Sequence, residues 1–369
     1  MGDLKPGIIF EMILKKGFHI LRRLIPAALI LTALGCTSIG PESVPRDRFD
    51  YASAIRDSWK HELLQNIVNM RYGGIPVFVD VASVISQYEL QGSVAASATA
   101  NGSVVGDDIY GIGGNARYTE RPTITYQPLT GPKFSRSLLT PIKPATLLFL
   151  AQAGYPIDML MQIGARSING IKNRANTELI KQDEDPLFSE VLAAMRRIQL
   201  SGLIGIRLEK KNEKDTTVMF FGKPSNEDII ADVKFVRETL GLNPEADQFA
   251  LIFGPVSPGP DILAIQSRSM MEIMLELSAE VDAPAVHIEQ GLTFPTVPED
   301  HKLGFLTIHS QSEPPSYGYA AMQFQDHWFW VDDRDIQSKR MLTLLVVLSS
   351  LTESDTPAQV PVVTVGAGS

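Results

Sequence analysis

Residues 84–126 read VISQYELQGSVAASATANGSVVGDDIYGIGGNARYTERPTITY, and their alternation decides how the first half of the chain is built. Even positions from Val84 include Tyr88, Leu90, Gly92, Val94, Ala96 and Ala98, and the run ends at Val104. Across 93–103 the odd positions are Ser93, Ala95, Ser97, Thr99, Asn101 and Ser103. A turn cluster follows at Gly106-Asp107-Asp108. The pattern then resumes with Tyr110, Ile112, Gly114, Ala116, Tyr118, Ile124 and Tyr126 on one side. Asn115, Arg117, Thr119, Arg121 and Thr123 hold the other. Successive side chains of a strand point to opposite faces, so period two over this length predicts a long β-hairpin with one apolar and one polar face. The run Gly111-Ile112-Gly113-Gly114 lacks the Lys-Ser/Thr of a phosphate loop. Close backbone packing is its expected role.

Upstream, Ile55, Trp59, Leu63, Ile67 and Met70 recur at helical spacing and predict a helix over 49–72, stopped by Gly73-Gly74 and Pro76. His61-Glu62 opens like a zinc-protease helix, but Gln65 stands where the second histidine belongs, so the metal reading fails. Further back, Lys15, Lys16, Arg22 and Arg23 precede the uncharged stretch Leu24 to Gly35. That stretch is shorter than the about 20 residues a membrane span needs. It fits a signal-peptide core over residues 1–35. It ends in Thr32-Ala33-Leu34-Gly35-Cys36, small residues before a cysteine, which is the bacterial lipoprotein pattern. Cys36 is then the acylated residue and attaches the chain to a membrane. It is also the only cysteine, which excludes an intrachain disulfide. Each buried acyl methylene contributes about 0.8 kcal/mol, so two or three chains anchor permanently. Thr37 rather than Asp follows Cys36, matching outer-membrane sorting toward the periplasm, and residues 36–47 read as a tether.

Downstream, 134–175 reads as helical and turn-rich, with Pro144 at a helix start and Gly154 past a helix end. The charged stretch 173–184 reads as a linker. Asp185-Pro186 opens a helix to about Leu200, stopped by Gly202. Strands are expected at 203–209, 216–221, 248–254 and 262–267. Between them lie a helix capped by Ser225 and ended by Gly241, then one opened by a Ser269/Glu272 capping box. Met270, Met271 and Met274 on that last helix read as core. Strands at 303–310, 317–324 and 327–331 precede a helix capped by Asp335 through about Leu351, and Val360 to Val365 suggests a final strand. The element order over 216–281 is that of small α+β modules, some of which pack side by side in ring-shaped envelope assemblies.

The chain has 369 residues, 44% hydrophobic and 20% charged, enough apolar surface to bury a core and enough length for two domains. Its formal net charge is −9, and losing residues 1–35 makes the remainder more acidic. Such a chain repels nucleic acid, which is therefore not an expected partner.

Four segments resemble a family of uncharacterised proteobacterial envelope lipoproteins. They are NIVNMRYGGIPVFVDVASV at 66–84, ERPTITYQPLTG at 120–131, RSLLTPI at 136–142 and HWFWVDDRDIQSK at 327–339. The resemblance implies lipidation and an envelope address, and it carries no catalytic residues.

Two constellations are candidates for chemistry. The hairpin, through Val94, Ala96, Ala98, Tyr110, Ile112 and Tyr118, is a candidate assembly or membrane-inserting element. Its arms exceed the about 9–11 residues a barrel strand needs, but one hairpin cannot close a barrel, so several copies would have to pool theirs. The second is the aromatic strand and acidic turn: Trp328, Trp330, Asp332, Asp333 and Lys339 could bind a glycan or peptide, or do acid–base work. The bland account has Asp335 capping a helix, Arg334 paired with a carboxylate and the tryptophans in the core. His287, His301, His309 and His327 form no close ligand pair in sequence, and no metal or other cofactor is expected.

The expected fold class is α+β: an N-terminal helix and long amphipathic hairpin within 48–172, with a helical segment, then an α+β region of mixed strand–helix units over 185–369. The leading functional expectation is a non-enzymatic, lipid-anchored component of an oligomeric envelope complex. The alternative is a monomeric periplasmic lipoprotein that binds glycan or peptide.

Overall fold

The computed structural model describes residues 39–353, apart from residue 86 and the stretches 100–108, 178–179 and 212–213. Cys36 and the expected strand at 360–365 lie outside the described residues.

The first helix, α1 (Ile39–Arg71), begins earlier than its apolar pattern suggested and includes residues assigned to the tether. Pro41 sits in the first turn, where a missing N–H removes no intrahelical bond. Pro45 lies inside the helix. The buried stripe is Leu63, Leu64, Ile67, Val68 and Met70, whereas Trp59 is exposed. The helix end is tied down by Arg71, which donates to the carbonyls of Ala279 (3.2 Å) and Phe294 (2.7 Å).

Next come β1 (Val79–Ile85), β2 (Tyr88–Thr99), β3 (Ile109–Glu120) and β4 (Thr123–Pro128). β1 pairs with β4, while β2 and β3 form a separate two-stranded antiparallel ribbon. The expected hairpin is therefore present.

Helices α2 (Pro144–Gln152) and α3 (Ile157–Gly164) lead into short strands β5 (Ala165–Ile168), β6 (Ile171–Lys172), β7 (Ala175–Thr177) and β8 (Ile180–Gln182). Pro144 does open its helix, and Gly154 takes φ +109° after it. The stretch read as a linker is instead the β7–β8 hairpin, because its polar groups find partners. Fully buried Asn173 donates to the carbonyls of Gln162 and Ala165, both at 2.7 Å, and Arg174 meets Glu184 at 2.8 Å.

The remaining elements are α4 (Pro186–Leu200), β9 (Ile204–Lys211), β10 (Lys214–Phe221), α5 (Glu227–Thr239), β11 (Gln248–Phe253), β12 (Ile262–Ser267) and α6 (Met270–Ala279). They are followed by α7 (Ala285–Glu289), β13 (His309–Gln311), β14 (Gly318–Phe324), β15 (His327–Asp332) and α8 (Ile336–Glu353). Asn226, not Ser225, caps α5, accepting from the Asp228 N–H at 2.8 Å. The Ser269/Glu272 capping box forms as expected.

Six strands make one sheet in the order β6-β5-β12-β11-β10-β9. Every neighbour pair is antiparallel except β11–β12. Strands from 165–172 thus join strands from 204–267 in one sheet. The contacts divide the chain differently from the 48–172 and 185–369 regions. Among the described residues, one unit holds those from 39 to 54 and from 82 to 125, and the other holds those from 55 to 81 and from 126 to 353. The reason is that sheet hydrogen bonds recruit β5 and β6 into the later region, while among the described residues the ribbon strands pair only with each other.

The second unit has a continuous core in which Leu64, Leu147, Leu160, Val236, Phe249 and Phe329 are fully buried. Each such side chain contributes about 1.5–3 kcal/mol relative to exposure. In places a side chain occupies the space where a glycine lacks its Cβ. A Cβ on Gly205 would lie 2.3 Å from the Phe220 ring, and one on Gly164 would lie 2.9 Å from Leu147.

Candidate functional site

The ribbon is the first candidate. β2 and β3 pair over twelve residues each, from Tyr88↔Glu120 to Thr99↔Ile109. No third strand pairs with either arm among the described residues. Its base is pinned within its own unit. Tyr88 donates to Asp47, Arg46 lies 3.0 Å from Asp47, and the Tyr88 and Tyr118 rings stack at 6.3 Å. Hydrogen bonding to Tyr118 and Asp47 holds the Arg46 pKa above its usual value. The side chains of Val94, Ala96, Ala98, Tyr110 and Ile112 lie outside what is described. Farther toward the base, Asn115 and Arg117 on one face and Ala116 and Tyr118 on the other are all exposed. A Cβ on Gly113 or Gly114 would meet nothing within 4 Å. The close packing expected of these glycines is absent; they leave a bare strand surface.

The second candidate is the three-stranded sheet, in the order β13-β15-β14. Strand parity decides its faces. Phe329 and Val331 are fully buried, and they pair with Met322 and Ala320. Trp328 and Trp330 therefore turn to the opposite face and stay half-buried, which corrects the expectation that they pack in the core. Gln311 and Gln323 flank Trp328, while His309 and Ala321 flank Trp330. The His309 and Trp330 ring centroids are 4.9 Å apart.

The acidic turn satisfies itself. Arg334 donates to Asp332 from Nε (3.0 Å) and Nη2 (2.7 Å), and these bonds push the Asp332 pKa down to about 2. Lys339 Nζ lies 2.9 Å from both the carboxylate and the carbonyl of Asp333. The same ammonium sits 4.9 Å from the Tyr319 ring centroid. Asp335 accepts from the Ser338 N–H at 3.1 Å and caps α8. Asp333 and Lys339 thus pair with each other at the surface.

Sequence reading missed two clusters. His287 and His327, forty residues apart, meet with ring centroids 4.7 Å apart. The Tyr72 hydroxyl lies 2.7 Å from His287 Nδ1. Burial first, and His327 second, lower the His287 pKa; burial raises Tyr72 to about 12. Among the described residues no group of three His, Cys, Asp or Glu side chains could hold a metal. The other cluster lines a cleft of about 420 Å³ between the β5–β6 hairpin, the end of β12 and α6. At its floor Arg268 is 1% exposed and donates to the carbonyls of Gln162 (3.2 Å), Ile163 (3.1 Å) and Arg174. Its carboxylate partner is Glu276, 3.8 Å away. No local sequence signal marks this cleft, because its walls come from segments about a hundred residues apart.

No helix among the described residues is long and apolar enough to cross a membrane. Comparison with protein families, with curated proteins and with solved structures returns no match.

Proposed function

We propose that this chain is a lipid-anchored cell-envelope protein, without catalytic activity, that assembles with further copies of itself through the β2–β3 ribbon. The observation that carries the reading is the twelve-residue ribbon with no third strand on either arm among the described residues. A two-stranded ribbon alone is marginal in water. Each free edge presents a row of unpaired N–H and C=O groups, which is a template for another strand. Ribbons of successive copies, pairing β2 of one with β3 of the next, satisfy those edges, and a closed ring leaves none. Twelve residues span roughly 40 Å, more than a tilted outer-membrane strand needs. The lipoprotein pattern at Cys36 supports the envelope address and explains how copies would be concentrated on one surface.

The test is the mass of the detergent-extracted, full-length lipoprotein by size-exclusion chromatography with light scattering. A discrete oligomer that collapses to monomers on deletion of residues 92–118 is expected. A full-length monomer overturns the reading.

A second reading is a periplasmic module for glycan or peptide. It is favoured by Trp328 and Trp330 on the face away from the core, with Gln311 and Gln323 beside Trp328. Aromatic faces stack on sugar rings or apolar side chains, and flanking amides supply hydrogen bonds. It expects Trp330→Ala to lose retention on a peptidoglycan column that the parent protein binds; equal retention removes it.

A further inference from the structure

The 420 Å³ cleft has a charge pattern at odds with the rest of the molecule. The chain as a whole is acidic, at −9, yet Arg166, Lys172, Arg174 and Arg268 line this one cavity against only two carboxylates, Glu272 and Glu276. Three of the four are already matched. Arg166 pairs with Glu272, Arg174 with Glu184 and Arg268 with Glu276. Lys172 is the exception: it makes no ion pair among the described residues and stands exposed at the mouth. It lies directly across the β5–β6 hairpin from Ser167, and Ser167 in turn lies across from Gln266 on β12. One row of the sheet thus carries an ammonium, a hydroxyl and an amide side by side.

Ser167 Oγ has two acceptors within reach, Gln266 Oε1 at 3.3 Å and the Pro255 carbonyl at 3.4 Å; when it donates to Oε1, the NH₂ of Gln266 is the end left for a ligand. An ammonium and an amide N–H₂ in a row form a donor-only pair, which is complementary to a carboxylate. Pro255, Val256 and Leu275 supply apolar lining beside this row. Val256 is 64% exposed. A volume of this size is at the lower end of small-ligand pockets.

We infer that the cleft binds a small carboxylate carried next to an apolar group, with Lys172 as counter-ion, Gln266 as hydrogen-bond donor and Val256 as the apolar contact. Two sources supply that chemistry, the C-terminal end of a short peptide and an aliphatic organic acid. This site lies apart from the ribbon and does not depend on how the ribbon assembles.

The test is isothermal titration calorimetry on the full-length protein with three probes: the tripeptide Ala-Ala-Leu, its C-terminal amide, and octanoate. Binding of the peptide acid with at least tenfold weaker binding of its amide supports the peptide source. Binding of octanoate in preference to both peptides supports the organic acid. In either case Lys172→Ala should weaken binding at least tenfold, Lys172→Arg should keep most of it, and Lys181→Ala should change nothing. Lys172 and Lys181 are exposed, so the variants keep the fold, which a thermal melt verifies. Equal binding of acid and amide, insensitivity to Lys172→Ala, or no heat from any probe at millimolar concentration overturns the inference.

Discussion

The β9–β10 hairpin and the β2–β3 ribbon are both antiparallel pairs, yet one is absorbed into a core and the described side chains near the base of the other are not. In β10, Val218, Met219 and Phe221 are buried. In β3, Ala116 and Tyr118 are exposed on the side that alternation marks as apolar. Glycine makes the contrast sharpest. A Cβ on Gly205 would displace the Phe220 ring, whereas Gly113 and Gly114 face open space. Amphipathic alternation therefore identifies a strand pair, but it does not identify what the apolar face rests on.

The largest expected effect lies on the buried side of this comparison. Arg268→Met removes the donor to three carbonyls and leaves Glu276 as a buried carboxylate without its cation. Breaking such a pair costs about 3–5 kcal/mol. Urea unfolding should show the midpoint falling sharply; an unchanged midpoint would mean that the pair does not organise this end of the sheet.

A somewhat smaller effect is expected from Glu280, which is 3% exposed at the end of α6 and accepts from the N–H groups of Leu303 and Gly304. Burial raises its pKa from 4.5 to about 7. The folded state therefore holds this proton more tightly than the unfolded chain does. The stabilisation is complete below pH 4.5 and is lost as pH rises through about 7, a change on the order of 3 kcal/mol. Glu280→Gln should flatten stability over that window. His287 has the opposite sign: its pKa is lowered from 6.5, so its stabilisation is present above pH 6.5 and is lost as the solution is acidified from there through its folded value. Melting curves of the parent, Glu280→Gln and His287→Gln across pH 4–8 separate the two.

The glycines test the comparison directly. Gly205→Ala forces Phe220 to move and should cost about 1–3 kcal/mol. Gly113→Ala should leave monomer stability unchanged within about 0.5 kcal/mol. If Gly113→Ala instead shifts only the oligomer distribution, the bare surface is an interface between copies. The smallest effect belongs to deletion of residues 92–118, which should move the melting temperature of the remaining unit by no more than about 2 °C. A large loss would show that the ribbon supports that unit after all.

Much of the local structure was legible in the chain. The ribbon, the helix entered at Pro186, the Ser269/Glu272 box and the strands at 216–221 and 262–267 follow from period, caps and stops acting within a few residues. The misreadings share one cause. Residues 173–184 looked like a solvated linker because their charges are dense, and they fold because Asn173, Arg174 and Glu184 find partners among themselves and in neighbouring segments. Trp328 and Trp330, which the bland account placed in the core, were displaced from it by Phe329 and Val331.

Local alternation and capping thus determine where strands and helices form, since those preferences depend on side chains a few positions apart. Which parity of β15 faces the core, which helix–strand segments share the six-stranded sheet, and which charges line the Lys172 cleft were decided only by tertiary structure. Each depends on groups far apart in sequence competing for the same buried volume, and that competition is resolved by packing and by the cost of leaving a buried polar group unpaired.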